Sequence, residues 1–217
     1  SFPSEMIVYD YFLKGDSEQE MVINAHNCHP YQANDDISGV AVSIAIFKWL
    51  KTLPSRRFSY RLLIAPELFG PMYWLDRFPS LARNMFAAIL LKSVGNDAPI
   101  NLQESFEGNS LLDQASLLSL FEITGVKRSY PFRSYYGNDE TVFESPGFEI
   151  PSITFTRFPF NEYHTDCDTL SILSQKSLSE TYKLVAQTIL CLERNVFAKS
   201  VPKGLYCLSN PKYSLYK

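Results

Sequence analysis

Residues 21–50 read MVINAHNCHPYQANDDISGVAVSIAIFKWL. The apolar run at the start, residues 21–25, predicts a buried β-strand. Residues 40–50 are apolar on nearly all sides, which predicts a buried helix. A strand followed closely by a helix is typical of an α/β domain. His26 therefore falls at the C-terminal end of a strand, which is where ligands bind in open α/β sheets.

Strands and helices alternate along the rest of the chain in the same way. The pattern predicts strands at residues 7–13, 59–65, 85–91 and 152–156 and helices at 70–78, 110–124 and 175–197. Residues 130–151 are rich in Gly, Pro and aromatic residues, which predicts loops around a site. This order favours a three-layer α/β/α fold with a mixed, mostly parallel central sheet.

The predicted elements fill residues 1–200, which we interpret as the structured domain. A length of 217 residues fits one large domain or two small ones. Residues 201–217 have no periodicity and predict a C-terminal extension. The chain begins Ser1-Phe2-Pro3 and enters a strand almost at once, which is consistent with a fragment of a longer protein.

Composition and charge argue against several classes of partner. The chain is 46% hydrophobic and 20% charged, which predicts a soluble globular protein. Its net charge of −3 provides no basic surface, so nucleic acid is not expected as a partner. Apolar runs such as residues 86–91 are too short to span a bilayer, so no membrane is expected. The four cysteines form no C-x-x-C pair, which favours reduced thiols and a cytoplasmic location. The oligomeric state is left open.

All three histidines lie in two short, acid-rich segments. His26 and His29 belong to the stretch quoted above, and His164 lies in the segment EYHTDCDT. Imidazole and carboxylate groups together are a normal ligand set for zinc, at a four-coordinate site with an open water position. Asp35 or Asp36 would supply the oxygen ligand. Only one of the two is expected to point at the metal, because neighbouring side chains diverge.

The order of these motifs resembles that of zinc aminopeptidases of the leucyl-aminopeptidase and glutamate-carboxypeptidase type. His26-x-x-His29 followed by the segment NDDISG is similar to the first metal motif of that family, with Asp35 in the place of its bridging aspartate. The segment YHT around His164 is similar to the last metal motif, and the segment NDE resembles one that lies beside the substrate. The matches run in family order over residues 20–170, most of the chain, and the resemblance implies that residues 1–200 are an aminopeptidase-like catalytic domain.

The chain also departs from the family pattern. Glu67 matches the catalytic base of the family, but the zinc-binding glutamate that should follow it is Leu68 here. The family's other aspartate ligand falls near Lys92, and Cys28 stands where the family has an aspartate that orients the first histidine. The resemblance is therefore to a divergent, uncharacterised aminopeptidase-like branch.

These departures imply one zinc ion rather than two. The resemblance implies that His29, Asp35 and His164 hold the ion, with His26 as a further candidate ligand. His29 could fill the coordination position that the leucine leaves open. The residues do not decide which of His26 and His29 binds.

The resemblance implies a zinc-dependent hydrolase, an aminopeptidase or amidase that acts on a small peptide or amide. Zinc would activate a water molecule, and Glu67 would act as general base, taking the proton of the water and returning it to the leaving amine. Asp139, Glu140 and Arg157 are charged residues of the predicted site loops. They are expected to hold the amino or carboxylate end of the substrate.

Two other functions compete with zinc-dependent hydrolysis. The first is a catalytically inactive scaffold that binds metal and uses the cleft for recognition of a ligand or partner, and Leu68 and Lys92 favour it. The second is a thiol hydrolase with Cys28 as nucleophile. It is less favoured, because the histidines beside this cysteine are already assigned to metal.

Overall fold

The computed structural model describes residues 5–196, 199, 204 and 207–216. Seven strands of this part of the chain form one sheet. They are β1 (Tyr9–Leu13), β2 (Glu20–His26), β3 (Ser59–Ala65), β4 (Met85–Lys92), β5 (Asn101–Gln103), β6 (Ser129–Tyr130) and β7 (Ser152–Thr156). The α-helices are α1 (Gly39–Thr52), α2 (Phe69–Arg77), α3 (Pro79–Ala82), α4 (Leu111–Thr124), α5 (Glu140–Phe143) and α6 (Gln175–Glu193).

The strands lie in the order β1-β3-β2-β4-β7-β5-β6. The pairs β3/β2, β2/β4, β4/β7 and β5/β6 are parallel, whereas β1/β3 and β5/β7 are antiparallel. The prediction of a mixed, mostly parallel sheet is therefore confirmed. Because β3, β2, β4 and β7 are neighbours and parallel, their C-terminal ends meet at the same edge of the sheet.

Helices cover both faces of the sheet. α1, α4 and α6 pack on one face, against alternate strand residues such as Ile23 and Ile89. The intervening residues Val22 and Leu90 point to the other face, where they pack with Trp74 of α2 and with α5. Since successive side chains of a strand point to opposite faces, the buried strands β2 and β4 contribute side chains to two hydrophobic cores, one on each face of the sheet. The three-layer α/β/α arrangement is confirmed.

Helix ends follow local sequence signals. The Ser110 hydroxyl accepts a hydrogen bond from Asp113 N, and the Asp113 carboxylate accepts one from Ser110 N, so a capping box begins α4. α4 is followed by the C-cap residue Gly125. Its φ of 73° lies in the left-handed region, which glycine favours at this position. α6 begins where predicted and ends at Glu193. The predicted end at Phe197 lies outside the described residues.

The sequence pattern does not predict several short elements. β5 and β6 have three and two residues, which is too few for a periodicity to show. α5 has four residues and lies inside the region that predicts loops. Residues Ala33–Ser38 form a π-helical turn directly before α1.

The described residues after α6 include little regular structure. Residues 207–216 form turns, with neither helix nor strand among them. Residues 201–203, 205, 206 and 217 of the predicted extension lie outside the described residues, so its boundary stays a prediction. Among the helices of the described residues, none combines the length and the apolar character that crossing a membrane requires.

Candidate metal centre

Three neighbouring parallel strands deliver three polar residues to the same edge of the sheet. His26 is the last residue of β2, and Lys92 is the last residue of β4. Glu67 follows β3 by two residues. His26 pairs in register with Ala65, the last residue of β3, so these two strands end at the same level. The strand ends therefore place an imidazole, an ammonium group and a carboxylate side by side.

The aspartates that follow His26 lie on a turn that makes them point the same way. Within the π-helical turn, Asp35 has the non-helical dihedral angles φ −106° and ψ 83°. His26 Nε2 lies 2.9 Å from Asp35 Oδ1 and 2.8 Å from Asp36 Oδ1. Both aspartates therefore face His26, and the expectation that only one of them points at a metal ion stays a prediction. Adjacent side chains diverge in regular structure, but the kink at Asp35 brings both carboxylates to the same imidazole.

Asp168 joins this turn to the segment that carries His164. Its buried carboxylate accepts hydrogen bonds from Asn34 N (2.6 Å) and Asp35 N (3.0 Å). His164 Nε2 consequently lies 3.2 Å from Asp35 Oδ2, the oxygen that His26 does not contact. Asp168 is not among the site residues that the sequence predicts. Its place four residues after a motif histidine is the signal that could have found it.

His29 contacts Asp36 rather than Asp35. Its Nδ1 lies 2.7 Å from Asp36 Oδ1, and its backbone N–H donates to Asp36 Oδ2 at 2.8 Å. The backbone N–H of Cys28 donates to the same oxygen. The other ring nitrogen of His29, Nε2, lies 3.8 Å from Glu67 Oε2. His29 therefore stands between the pair of aspartates and the predicted general base.

The two buried aspartates favour positive charge at this point of the fold. Burial disfavours the protonated form of His26, but hydrogen bonds with Asp35 and Asp36 outweigh burial and raise its pKa to about 9. Burial also opposes ionisation of Asp36, yet its contacts with His26 and His29 lower its pKa to about 2. The same carboxylates would favour a bound metal ion, which takes the place of protons on the imidazoles.

The donor set fits zinc. His26, His29, Asp35 and Asp36 each offer one ligand atom, and these atoms lie within 4.8 Å of one another. Ligand atoms about 2.0–2.2 Å from a tetrahedral, four-coordinate zinc ion stand roughly 3.3–3.6 Å apart. The imidazole–carboxylate contacts of His26 and His164 with Asp35, at 2.9 and 3.2 Å, are close to that separation.

Asn138 supplies a second test of this fit. Its amide nitrogen lies 3.5 Å from His26 Nδ1, while its Oδ1 is buried and has no hydrogen-bond partner among the described residues. With the amide turned by half a rotation, Oδ1 would accept the Nδ1–H proton of His26. A metal-binding histidine normally donates its other ring N–H in this way. The buried pair therefore suits a metal ion on His26 Nε2.

Lys92 places a buried positive charge beside Glu67. Its Nζ lies 3.0 Å from Glu67 Oε1, 3.7 Å from Asp35 Oδ1 and 4.7 Å from the centre of the Tyr136 ring. Burial would lower the pKa of Lys92, but Asp35 and Glu67 outweigh it and raise that pKa above its ordinary value. The side chain is therefore an ammonium group at neutral pH, with no lone pair for a metal ion.

Asp139 and Glu140 are fully buried and bind groups of the protein itself. The Asp139 carboxylate accepts hydrogen bonds from Leu68 N at 2.7 Å and from Asn24 Nδ2 at 2.6 Å. Glu140 Oε1 accepts one from Asn138 N at 2.8 Å. The geometry does not support the expectation that these two residues hold the end of a substrate, because neither carboxylate is accessible.

Arg157 is not part of the cluster. Its guanidinium group donates to backbone oxygens of Val94 (3.1 Å), Ala98 (2.7 Å) and Ser177 (3.2 Å) and to the Glu180 carboxylate (2.8 Å). These bonds join the loop after β4 to α6. The expectation that Arg157 binds substrate is not supported, because the side chain is buried and its donors and charge already have partners.

Cys28 lies beside the cluster with its thiol directed at Glu67. Its Sγ accepts a hydrogen bond from Glu67 N at 3.3 Å and lies 3.7 Å from His29 Nδ1. Partial shielding from water and the nearby carboxylates of Asp36 and Glu67 raise the pKa of the thiol. A raised pKa disfavours the thiolate that a cysteine nucleophile needs.

Comparison with known proteins gives a family and a relative for the chain. The family described as "Domain of unknown function (DUF4910)" matches residues 2–195. A "Putative polysaccharide biosynthesis protein with aminopeptidase-like domain" from Clostridium acetobutylicum is 30% identical over 191 residues. That match covers 86% of this chain and 43% of the relative, so the chain spans less than half of the relative's length.

Solved structures share the fold. A putative peptidase from Clostridium acetobutylicum has a TM-score of 0.82 at 29% identity, covering 87% of this chain and 44% of that one. An aminopeptidase from Aneurinibacillus sp. strain AM-1 has a TM-score of 0.76 at 20% identity, with coverages of 91% and 50%. A glutaminyl cyclase from an Acidobacteriales bacterium has a TM-score of 0.72 at 19% identity, with coverages of 87% and 74%. The chain therefore has the fold that these solved structures share.

Proposed function

The chain belongs to the family described as "Domain of unknown function (DUF4910)", and we propose that it is a zinc-dependent hydrolase of the aminopeptidase or amidase kind. One observation carries the proposal. Asp35 contacts His26 Nε2 through one oxygen and His164 Nε2 through the other, and Glu67 lies within reach of the same cluster. The aminopeptidase-like relative and the aminopeptidase fold support the same activity.

The proposed ligands of a single zinc ion are His26, Asp35 and His164. His26 and His164 each contact Asp35, and an ion held by these three side chains would have a fourth position for water or substrate, as in other catalytic zinc sites. Asp36 would orient His29 and balance charge, since its oxygens already accept from His29 and from two backbone N–H groups. His29 remains an alternative fourth ligand, because its Nε2 faces the same space as Glu67.

The residues around the ligands fit hydrolysis of a peptide or amide bond. When bound, zinc would supply Lewis acidity that activates water and polarises a carbonyl group. Glu67 is proposed to accept one proton of the attacking water while the water oxygen bonds to the carbonyl carbon of the substrate. It would then return that proton to the amine nitrogen as the C–N bond breaks. Lys92 would hold the Glu67 carboxylate in place through the 3.0 Å ion pair.

The experiment compares wild type with Glu67→Gln on a panel of aminoacyl-amide and dipeptide substrates, with bound zinc measured on the same samples. We expect Glu67→Gln to lower kcat by about 10²–10⁴-fold and to retain zinc, because Glu67 lies outside the ligand set. Glu18→Gln, an exposed glutamate of the turn after β1, serves as the matched control.

Three outcomes separate the competing functions. Loss of activity with a chelator and its return with zinc would support the hydrolase. Stoichiometric zinc with no turnover across the panel would favour the inactive scaffold, which uses the cleft for recognition. Inactivation by alkylation of Cys28, without any effect of a chelator, would favour the thiol hydrolase.

A further inference from the structure

We infer that Asp139 is a positioning residue that aims Glu67 at the reacting centre through the backbone of Leu68. The inference rests on the proposed role of Glu67 as general base. It replaces the expectation that Asp139 holds the end of a substrate. It also assigns a role to a buried carboxylate that has none in the proposed mechanism.

The chain makes a strained turn directly after Glu67. Leu68 has φ 61° and ψ −57°, and Phe69 N donates to Glu67 O at 2.7 Å. These dihedral angles and this hydrogen bond define a γ-turn with positive φ at its central residue, a form that is rare and strained. Such a conformation of a leucine persists only where surrounding contacts hold it, and it often occurs at functional sites.

Asp139 provides the contact that holds this turn. Its Oδ1 accepts the hydrogen bond of Leu68 N at 2.7 Å, and its Oδ2 accepts that of Asn24 Nδ2 at 2.6 Å. Asp139 is 0% exposed and Asn24 is 1% exposed. Asn24 lies on β2, two residues before His26. The carboxylate therefore ties the turn after Glu67 to the strand that carries a proposed zinc ligand.

The start of α2 leaves the turn no room to relax. A Cβ added to Gly70 would lie 2.3 Å from the Cβ of Ala65, so the chain passes directly over the end of β3. Gly70 N also donates to Pro66 O at 2.9 Å. With both flanks held in this way, the conformation of Leu68 sets the direction in which Glu67 leaves the backbone.

The result is a fixed position for the Glu67 carboxylate. Oε1 lies 3.0 Å from Lys92 Nζ, and Oε2 lies 3.8 Å from His29 Nε2. If Leu68 moved to an ordinary negative φ, the peptide group that follows Glu67 would rotate and shift this carboxylate. A misplacement of about 1 Å can cost about 10²-fold in rate.

Two substitutions of Asp139 separate positioning from substrate binding. Asp139→Asn keeps an oxygen for Leu68 N. Once the Asn24 amide turns by half a rotation, the new amide nitrogen can donate to Asn24 Oδ1, which is buried and has no partner among the described residues. We expect this variant to retain most of kcat. Asp139→Ala removes the hydrogen bond, and we expect it to lower kcat about 10²-fold, with KM and bound zinc close to wild type.

Crystal structures of the same variants give a readout that does not depend on activity. In Asp139→Ala we expect Leu68 to leave the positive-φ region and the distance from Glu67 to Lys92 to lengthen, whereas Asp139→Asn should keep both as in wild type. Should Asp139→Ala fail to fold, Asp139→Ser removes the same carboxylate and leaves a polar group in the buried position. Glu18→Gln is the control for both measurements.

The outcomes distinguish this inference from the proposed function. If Asp139→Asn loses as much activity as Glu67→Gln, the charge of Asp139 itself is needed and the inference is overturned. Unchanged kcat, or an unchanged Leu68 conformation, in Asp139→Ala also overturns it. If wild type has no hydrolase activity, the proposed function fails, and the crystal structures still decide whether Asp139 positions Glu67.

Discussion

Lys92 Nζ lies 3.0 Å from Glu67 Oε1, so the proposed general base of this protein is paired with a buried ammonium group. Most lysines are solvated at the surface, whereas Lys92 ends a central strand and is 2% exposed. Its charge is offset by Glu67 and, at 3.7 Å, by Asp35. The pair therefore links the base to the carboxylate that would hold zinc.

Replacing Lys92 tests the importance of this pair. We expect Lys92→Met to lower kcat by about 10- to 100-fold, because Glu67 loses the hydrogen bond that fixes its orientation. Bound zinc should remain, since Lys92 is not a ligand. The measurement is kcat on the best substrate of the panel, with zinc content determined on the same preparation. Lys48→Met, at an exposed position of α1, is the control, and an equal effect in both variants would contradict the prediction.

The three histidines should contribute unequally to zinc binding. His26 and His164 both contact Asp35, whereas His29 contacts Asp36. We expect His26→Ala and His164→Ala to lose stoichiometric zinc, and His29→Ala to retain it. Zinc content after gel filtration provides the measurement. A chelator should lower the Tm of wild type but not that of His26→Ala, because a ligand that binds the native state stabilises it. Loss of zinc in His29→Ala alone would instead assign the site to His29.

Glu140 should make stability fall as pH rises. Burial, against the effect of the hydrogen bond from Asn138 N, raises the pKa of Glu140 from 4.5 to about 7. The native state then holds the proton more tightly than the unfolded chain, so stability is lost as pH rises from about 4.5 through 7. We expect Glu140→Gln to be more stable than wild type at pH 8 by up to ~3 kcal/mol, and similar to it near pH 4.5.

Urea unfolding of Glu140→Gln and wild type across this pH range measures the difference. Glu18→Gln, which replaces an exposed glutamate, is the matched control and should show no such trend. A stability difference between Glu140→Gln and wild type that is the same at pH 4.5 and pH 8 would show that ionisation of Glu140 has no part in it.

Gly39 should be needed for both stability and metal binding. A Cβ at this position would lie 2.2 Å from Leu91 O, so the start of α1 would have to move away from β4. The π-helical turn with Asp35 directly precedes Gly39 and would move with it. We expect Gly39→Ala to lower the free energy of unfolding by about 1–3 kcal/mol and to weaken zinc binding.

Gly137→Ala is the control for this substitution. A Cβ at Gly137 would meet only the Arg133 side chain, at 3.5 Å or more, which is ordinary contact. Urea unfolding without zinc and calorimetric titration with zinc give the two quantities. Equal effects of the two alanine substitutions would rule out the close approach of Gly39 to β4 as the cause.

Hydrophobic periodicity was enough to predict the main elements. The longer strands and helices bury continuous or periodic apolar residues, as β2, β4 and α1 do. Such patterns can be detected within a short window of the sequence. β5 and β6 are too short to have one. The boundaries of α4 were predictable for a similar local reason, because Ser110 and Gly125 are capping residues whose effect depends only on their neighbours.

The charged residues were harder to place. Arg157 and Asp139 both lie next to predicted loops or strand ends, and the sequence does not reveal that other residues already bind them. The partner of Asp139 on β2 is Asn24, 115 positions earlier in the chain. Glu180, which pairs with Arg157, lies one helix further on. Pairings over such distances depend on packing rather than on local pattern.

The amino-acid sequence alone was sufficient for the order of strands and helices and for the residue types at the strand ends, because local propensity and hydrophobic burial act over short stretches of chain. Folding in three dimensions settled which atoms meet. It turned Asp35 and Asp36 to the same imidazole, tied His164 to them through Asp168, and set the buried Asp139 against the turn that follows Glu67. Those contacts require a kink and hydrogen bonds between distant segments, and no local pattern of residues encodes them.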